Sequence, residues 1–327
     1  MQRVRRAVID IGTNSVKLLV AEVEGCVVHP VWEDSNQTRL GRDFYDSHRL
    51  QSAAISHTAQ AVAEFAATAR SYRAQSTRLI ATSAARDALN QQELVQAVEQ
   101  KAGLRLEVIS GEQEAEWAYQ GVTTDPAFAG RRLLIIDAGG GSTEFILGEG
   151  HHPTFQQSFP IGAVRLLEKF KPSDPPAPAE LQHCRNWLRE FMEQQVQPLL
   201  GPALAVGKDR TWLVGTGGTA AILARMELSL DDYDRDRIEA ARLSAAAISQ
   251  WMDDLWSQRL AERKRILGLP KARADVILTG AAIYEALVRQ FGFAELRVST
   301  RGLRFAAVLP AAGEPEATKP SRKSDAP

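Results

Sequence analysis

The chain has 327 residues, 44% apolar and 24% charged, an ordinary composition for a soluble globular protein and enough length for two domains. A formal net charge of −1 gives no overall attraction to nucleic acid or an anionic membrane, so any anion site must be local. Cys26 and Cys184 lie far apart without partners at metal-ligand spacing, no apolar run reaches transmembrane length, and Asp10 interrupts the apolar segment after the basic start; the chain reads as cytoplasmic, with reduced thiols.

In chain order, strands are predicted at Ala7–Ile11, Val16–Glu22 and Val27–Trp32, followed by a short loop carrying Arg39 and Arg42. Between Gln51 and Tyr72, Ile55, Ala59, Val62, Ala66 and Ala69 recur at helical spacing and predict an amphipathic helix. A strand at Arg78–Thr82 runs into a helix opened by Ser83–Arg86, and another helix covers Gln91–Ala102 with Gly103 as its C-cap. Leu106–Ile109 is a strand, and Ser110-Gly111-Glu112-Gln113-Glu114 starts a helix towards Val122. The polar, turn-rich stretch Asp125–Arg131 divides a first domain, 1–130, from a second, 131–301.

The second half opens with strands at Leu133–Ile136, Glu144–Leu147 and Thr154–Phe159 around a turn at His151-His152, and Ile161–Arg165 leads into a helix. Pro172–Pro178 is a surface loop ahead of a helix over Glu180–Gln195. A strand at Thr211–Val214 meets the glycine loop Gly215–Thr219 and a helix over Ala220–Met226. Asp231–Asp236 reads as a solvated acidic loop, Ser244–Leu260 as helical, and Asp275–Leu278 as a strand that turns at Gly280 into a helix to Phe291. After a strand at Leu296–Ser299, the last helical segment, near 302–310, is expected to pack back on the first domain. The tail, 311–327, has little to bury and is expected to be disordered.

Two of these stretches match. Ile9-Asp10-Ile11-Gly12-Thr13-Asn14-Ser15 and Ile136-Asp137-Ala138-Gly139-Gly140-Gly141-Ser142-Thr143-Glu144 both run from a buried strand through Asp and Gly into a returning strand. One offset (137 − 10 = 127) aligns Asp10 with Asp137, Gly12 with Gly139 and Ser15 with Ser142. A hairpin turn needs no second copy, whereas a phosphate clamped between two lobes uses both. Glycines let backbone N–H groups approach such a ligand closely. Alternating strands and helices in both halves argue α/β layers.

The ordered motifs Asp10–Ser15, Ala81–Asn90, Val108–Ala115, Ile136–Glu144, Gly215–Thr219, Arg273–Ile277 and Ser299–Arg304 resemble those of the exopolyphosphatase/guanosine pentaphosphate phosphatase (Ppx/GppA) family over nearly the whole chain. The resemblance implies two ribonuclease H-like domains of the actin-like ATPase superfamily with a cleft between them. It also implies Mg²⁺-dependent hydrolysis of the terminal phosphoanhydride of inorganic polyphosphate, or of the 5′ γ-phosphate of guanosine pentaphosphate. Many relatives carry a further C-terminal helical region, and this sequence stops after the core. Thr300, Phe305-Ala306 and Gln113 depart from residues frequent in the family.

Phosphoryl transfer to water needs charge neutralisation, in-line positioning and a group that orients the water. Glu114 matches the family's general base, and Glu144 is expected to assist it. Asp10 and Asp137 are hard oxygen ligands suited to Mg²⁺ or Mn²⁺. Gly12, Thr13, Asn14, Ser15, Gly139, Gly140, Gly141, Ser142 and Thr143 are expected to cradle phosphate, with Arg39 and Arg86 as clamps and Gly215, Gly217, Gly218 and Thr219 as a third loop. The expected partner is polyphosphate or guanosine pentaphosphate, with no nucleic acid and no membrane; a homodimer is compatible. A kinase of the same superfamily and a non-catalytic polyphosphate or alarmone binder are the competing readings. The tail is too mixed in charge for a basic channel, so short polyphosphates are expected to be handled comparatively well.

Overall fold

The computed structural model describes residues 3–150 and 152–310; His151 and the tail expected to be disordered lie outside them. The first half comprises β1 (Val4–Ile11), β2 (Val16–Glu24), β3 (Val27–Asn36), α1 (Ser52–Ser71), β4 (Ser76–Ala81), α2 (Ser83–Arg86), α3 (Gln91–Ala102), β5 (Leu106–Val108) and α4 (Gly111–Thr123). Its five-stranded sheet has the order β3-β2-β1-β4-β5. The second half begins with β6 (Arg132–Ala138), β7 (Thr143–Glu149), β8 (His152–Phe159), α5 (Ala163–Phe170) and α6 (Pro178–Phe191). It continues through a π turn into α7 (Gln197–Ala205), then β9 (Trp212–Thr216), α8 (Gly217–Glu227), α9 (Arg235–Ala240), β10 (Arg242–Ser244) and α10 (Ala245–Ser257). The last elements are α11 (Leu260–Arg263), α12 (Ile277–Phe291), β11 (Glu295–Val298) and α13 (Leu303–Ala307).

The second sheet runs β8-β7-β6-β9-β11 and adds β10 at its edge, so it repeats the strand order of the first. In each, an antiparallel hairpin (β1-β2 or β6-β7) is followed by parallel strands. These are the two ribonuclease H-like halves that the resemblance implies. The central strands read as unbroken apolar runs because both their faces are covered. Along β6, Leu134 and Ile136 enter one core while Leu133 and Ile135 enter another.

Two helices tie the halves together by crossing. Ala115, Ala118, Tyr119 and Val122 of α4 pack with Leu133, Ile135 and Ile146 of the second sheet. Leu303, Phe305 and Ala306 of α13 pack with Val8, Leu19 and Ile80 of the first. Where they cross, a Cβ on Gly121 would stand 2.1 Å from the Gly302 carbonyl oxygen, so only glycine admits this approach.

The expected strand at Asp275–Leu278 is instead the approach to α12 and its first turn. Ile277, Leu278, Ala281 and Ala282 are buried at helical spacing, and a short apolar run does not distinguish the two states. Gly280 therefore lies inside a helix. The acidic stretch also yields α9, which buries Ile238, and the short edge strand β10 has too few residues to show a period.

Candidate active site

The two hairpins face each other across a cleft between the halves. Asp10, next to last in β1, stands opposite Lys17, and Asp137, next to last in β6, stands opposite Glu144. Both turns close with the same hydrogen bond: Gly12 N–H donates to the Ser15 carbonyl and Gly139 N–H to the Ser142 carbonyl, each at 3.0 Å. The glycine triplet has a packing reason besides ligand approach. A Cβ on Gly140 would lie 2.8 Å from Thr13 Cβ of the opposite turn, and one on Gly141 would meet Tyr45 Oη at 2.3 Å and Ser83 Oγ at 2.4 Å. Glycine lets the second turn close on the first.

Glu114 reaches this cleft from the first turn of α4. Ser110 caps the helix by accepting from Gln113 N–H at 3.1 Å, and the N-terminal dipole favours an acid there. Gly111 lets the helix end approach β8, since a Cβ would stand 2.8 Å from Ser158 Cβ. Ser158 Oγ in turn donates to Glu144 Oε1 at 2.8 Å. Arg86 Nη1 donates to Glu114 Oε2 at 3.0 Å and to the Ile109 carbonyl at 3.1 Å.

Asp10, Gly12, Thr13, Asn14, Ser15, Glu114, Asp137, Gly139, Gly140, Gly141, Ser142, Gly218 and Thr219 line a cavity of about 70 Å³. Five expected phosphate contacts stand elsewhere. The Thr143 hydroxyl is fully buried and donates to the Ile161 carbonyl at 2.6 Å, bracing the turn from behind. Gly215 is inside β9 beneath Ala220 and Tyr284. Gly217 follows β9 directly as the first residue of α8, with its φ at 80°, and borders a second, adjoining cavity of about 460 Å³. Arg39 donates to Asp275 Oδ2 at 2.6 Å and to the Ala272 carbonyl at 3.1 Å, so it joins the two halves instead of facing the turns. Arg86 is engaged by Glu114 as described.

The sequence model of the Ppx/GppA phosphatase family matches residues 19–309. The chain belongs to that family. Exopolyphosphatase 2 of Mycobacterium tuberculosis is 32% identical over 326 residues, covering 96% of this chain and 100% of its own. Among solved structures, the Aquifex aeolicus Ppx/GppA enzyme is 32% identical with a TM-score of 0.75, covering 94% of this chain and 99% of that one. An exopolyphosphatase from Cytophaga hutchinsonii is 25% identical with a TM-score of 0.80, covering 93% and 96%.

Charge in this Ppx/GppA cleft is shaped mainly by burial. Burial raises the Glu114 carboxyl to about 7, with Arg86 opposing and Asp137 and Asp10 adding. Glu144 is pushed well above the usual carboxylate range by burial and by the charge of Glu114. Asp10 and Asp137 are raised by burial against the pull of Lys17. Asp10 Oδ1 is buried without a hydrogen-bond partner.

Several cleft residues had no place in the sequence reading. Lys17 lines both cavities, and burial lowers its pKa. The internal offset could have found it, because 17 + 127 = 144: the first hairpin carries Lys17 where the second carries Glu144. Arg273, lowered to about 10 by burial, donates to Ser15 Oγ at 2.9 Å from within a motif quoted only for the resemblance. Thr82 and Ser83 line the smaller cavity, and Arg304 borders the larger.

Proposed function

We propose that the protein is an exopolyphosphatase that hydrolyses the terminal phosphoanhydride of inorganic polyphosphate and releases orthophosphate. The observation that carries this reading is the placement of Glu114 in a narrow cleft between two glycine turns, with Lys17 and Arg273 on the same cleft. The turn N–H groups, the Asn14 amide and the hydroxyls of Ser15 and Ser142 suit a terminal phosphate. The water oxygen attacks the terminal phosphorus, the bridging P–O bond breaks, and the shortened chain leaves with the bridging oxygen. Glu114 accepts the water proton: Arg86 holds Oε2, and a pKa near 7 keeps a large fraction ionised at neutral pH. Burial and the charge of Glu114 bias Glu144 towards its neutral form, which limits the negative charge beside the base.

The donor set fits Mg²⁺. Among the described residues no three His, Cys, Asp or Glu are grouped to hold a metal, but two do not have to. Mg²⁺ commonly takes one or two carboxylates and completes its shell with water and phosphate oxygens. Asp10, with its unpartnered Oδ1, and Asp137 would hold it. When bound, the ion supplies neutralisation of phosphate charge.

Guanosine pentaphosphate is a second reading. It is favoured by the larger cavity, which joins the cleft at Lys17 and Arg273 and is walled by Ala221, Ile222, Tyr233 and Pro270, space that a linear phosphate chain does not fill. Orthophosphate release from polyphosphates of defined length, compared with guanosine pentaphosphate and ATP, tests the assignment. Faster release from guanosine pentaphosphate than from every polyphosphate would reverse it.

A further inference from the structure

We infer that the Ser83 hydroxyl is a ligand of the phosphate group held in the smaller cavity, and that α2 is a bracket with Ser83 on that phosphate and Arg86 on Glu114. Phosphate as the occupant rests on the exopolyphosphatase reading; the placement of Ser83 rests on the following geometry.

Ser83 is 3% exposed, and its Oγ is buried with no hydrogen-bond partner among the described residues. A hydroxyl has one donor and two acceptor positions, and leaving them unpaired in the interior costs the fold stability. Serine near a helix start commonly spends its oxygen on a backbone N–H. Ser83 opens α2 and does not do so.

The hydroxyl faces the cleft. Ser83 lines the smaller cavity with Glu114 and the second glycine turn, and its Oγ stands 2.4 Å from the place of a Cβ on Gly141. Tyr45 Oη approaches the same glycine, but Tyr45 does not line the cavity. A group held there therefore reaches Ser83. Two neighbouring hydroxyls are already spent: Thr143 donates to the Ile161 carbonyl at 2.6 Å and Thr219 to the Ala138 carbonyl at 3.3 Å.

Ser83 is also fixed in place. β4 pairs in parallel with β1, and just beyond it Thr82 N–H donates to the Ile11 carbonyl at 3.1 Å. Ala84 and Ala85 are buried, and Arg86 N–H returns to the Thr82 carbonyl at 3.0 Å. Ser83 and Arg86 stand three residues apart, on one face of this single turn. Arg86 holds Glu114 Oε2 at 3.0 Å and is itself braced by the Ile109 carbonyl at 3.1 Å. The Ser83 O–H donates to a non-bridging oxygen of the terminal phosphate, an acceptor that stays charged throughout transfer. One short helix thus sets the spacing between phosphate and base.

Ser83→Ala removes the hydroxyl and keeps the helix. Three quantities are compared with wild type: calorimetric Kd for orthophosphate, kcat/KM for triphosphate as a function of pH, and the ligand-free Tm. A hydrogen bond to a charged group corresponds to roughly tenfold to a hundredfold in affinity, so Kd should rise and kcat/KM fall by at least about tenfold. The ligand-free Tm should be equal or higher, because no partner within the protein is lost. The pH midpoint of kcat/KM should stay in place, because Arg86 still holds Glu114. An unchanged orthophosphate Kd overturns the inference, as does a wild type that binds no orthophosphate. A lower ligand-free Tm would show that the hydroxyl serves the fold, and a moved midpoint that it serves the base; either result overturns it as well. A raised Kd in a protein that releases no orthophosphate from any polyphosphate supports Ser83 as a phosphate ligand and refutes the exopolyphosphatase reading. An unchanged Kd in a protein that does release it refutes the role of Ser83 alone.

Discussion

Replacing Glu114 with Gln separates the proposed chemistry from folding, because the burial that raises the carboxyl's proton affinity also costs the folded state stability once the group ionises. Gln keeps the shape and an oxygen to accept from Arg86, but it cannot take a proton. General-base assistance is worth about 10²–10⁴-fold, so kcat should fall by at least roughly 100-fold with little change in polyphosphate affinity. Stability should move the other way. The folded carboxyl holds its proton up to about 7, against an ordinary 4.5. Wild-type stability is therefore fully present below 4.5 and declines as pH rises through 7. The interval corresponds to about 3 kcal/mol, or a Tm higher by about 6 °C at roughly 2 °C per kcal/mol for Glu114→Gln at pH 8. That difference should close towards pH 4.5. Orthophosphate release and thermal unfolding, each at several pH values, check both limbs. Wild-type turnover in the folded variant, or a Tm at pH 8 below wild type, would refute the reasoning.

Three other outcomes are expected. The wild-type kcat/KM for a short polyphosphate should rise with pH through about 7 and level off, since protonation removes the base; a rate flat from pH 5 to 8 would contradict this. Asp137→Asn should raise the Mg²⁺ concentration needed for half-maximal activity, and excess chelator should abolish activity in the wild type; full activity in chelator would exclude the metal role of both aspartates. Gly121→Ala should lower stability by about 1–3 kcal/mol through the 2.1 Å approach to Gly302, whereas an unchanged Tm would show that the crossing helices yield.

Much of the fold was legible because the central strands are covered on both faces and so read as plain apolar runs, and because the hairpin is duplicated at one offset. Short elements were not. The run at Asp275–Leu278 carries no period long enough to separate strand from helix, and α9 hides one buried side chain, Ile238, among charges. Within the site, the sequence motifs singled out the glycine turns, the two aspartates and Glu114, and the structure brings these residues to one cleft. Pairing was not legible: a guanidinium free in the sequence can be committed in three dimensions, as Arg39 is to Asp275 and Arg86 to Glu114. Lys17 and Arg273 were overlooked for the converse reason. Their residue types are unremarkable on a strand or in a loop, and only the meeting of the two halves brings them to the cleft.

The most direct test of the central claim is a single turnover of pentaphosphate in ¹⁸O-labelled water with Mg²⁺ present. Attack of water on the terminal phosphorus predicts one labelled oxygen in the released orthophosphate and unlabelled tetraphosphate. Label in the remaining chain, or fragments from cleavage inside it, would contradict terminal hydrolysis.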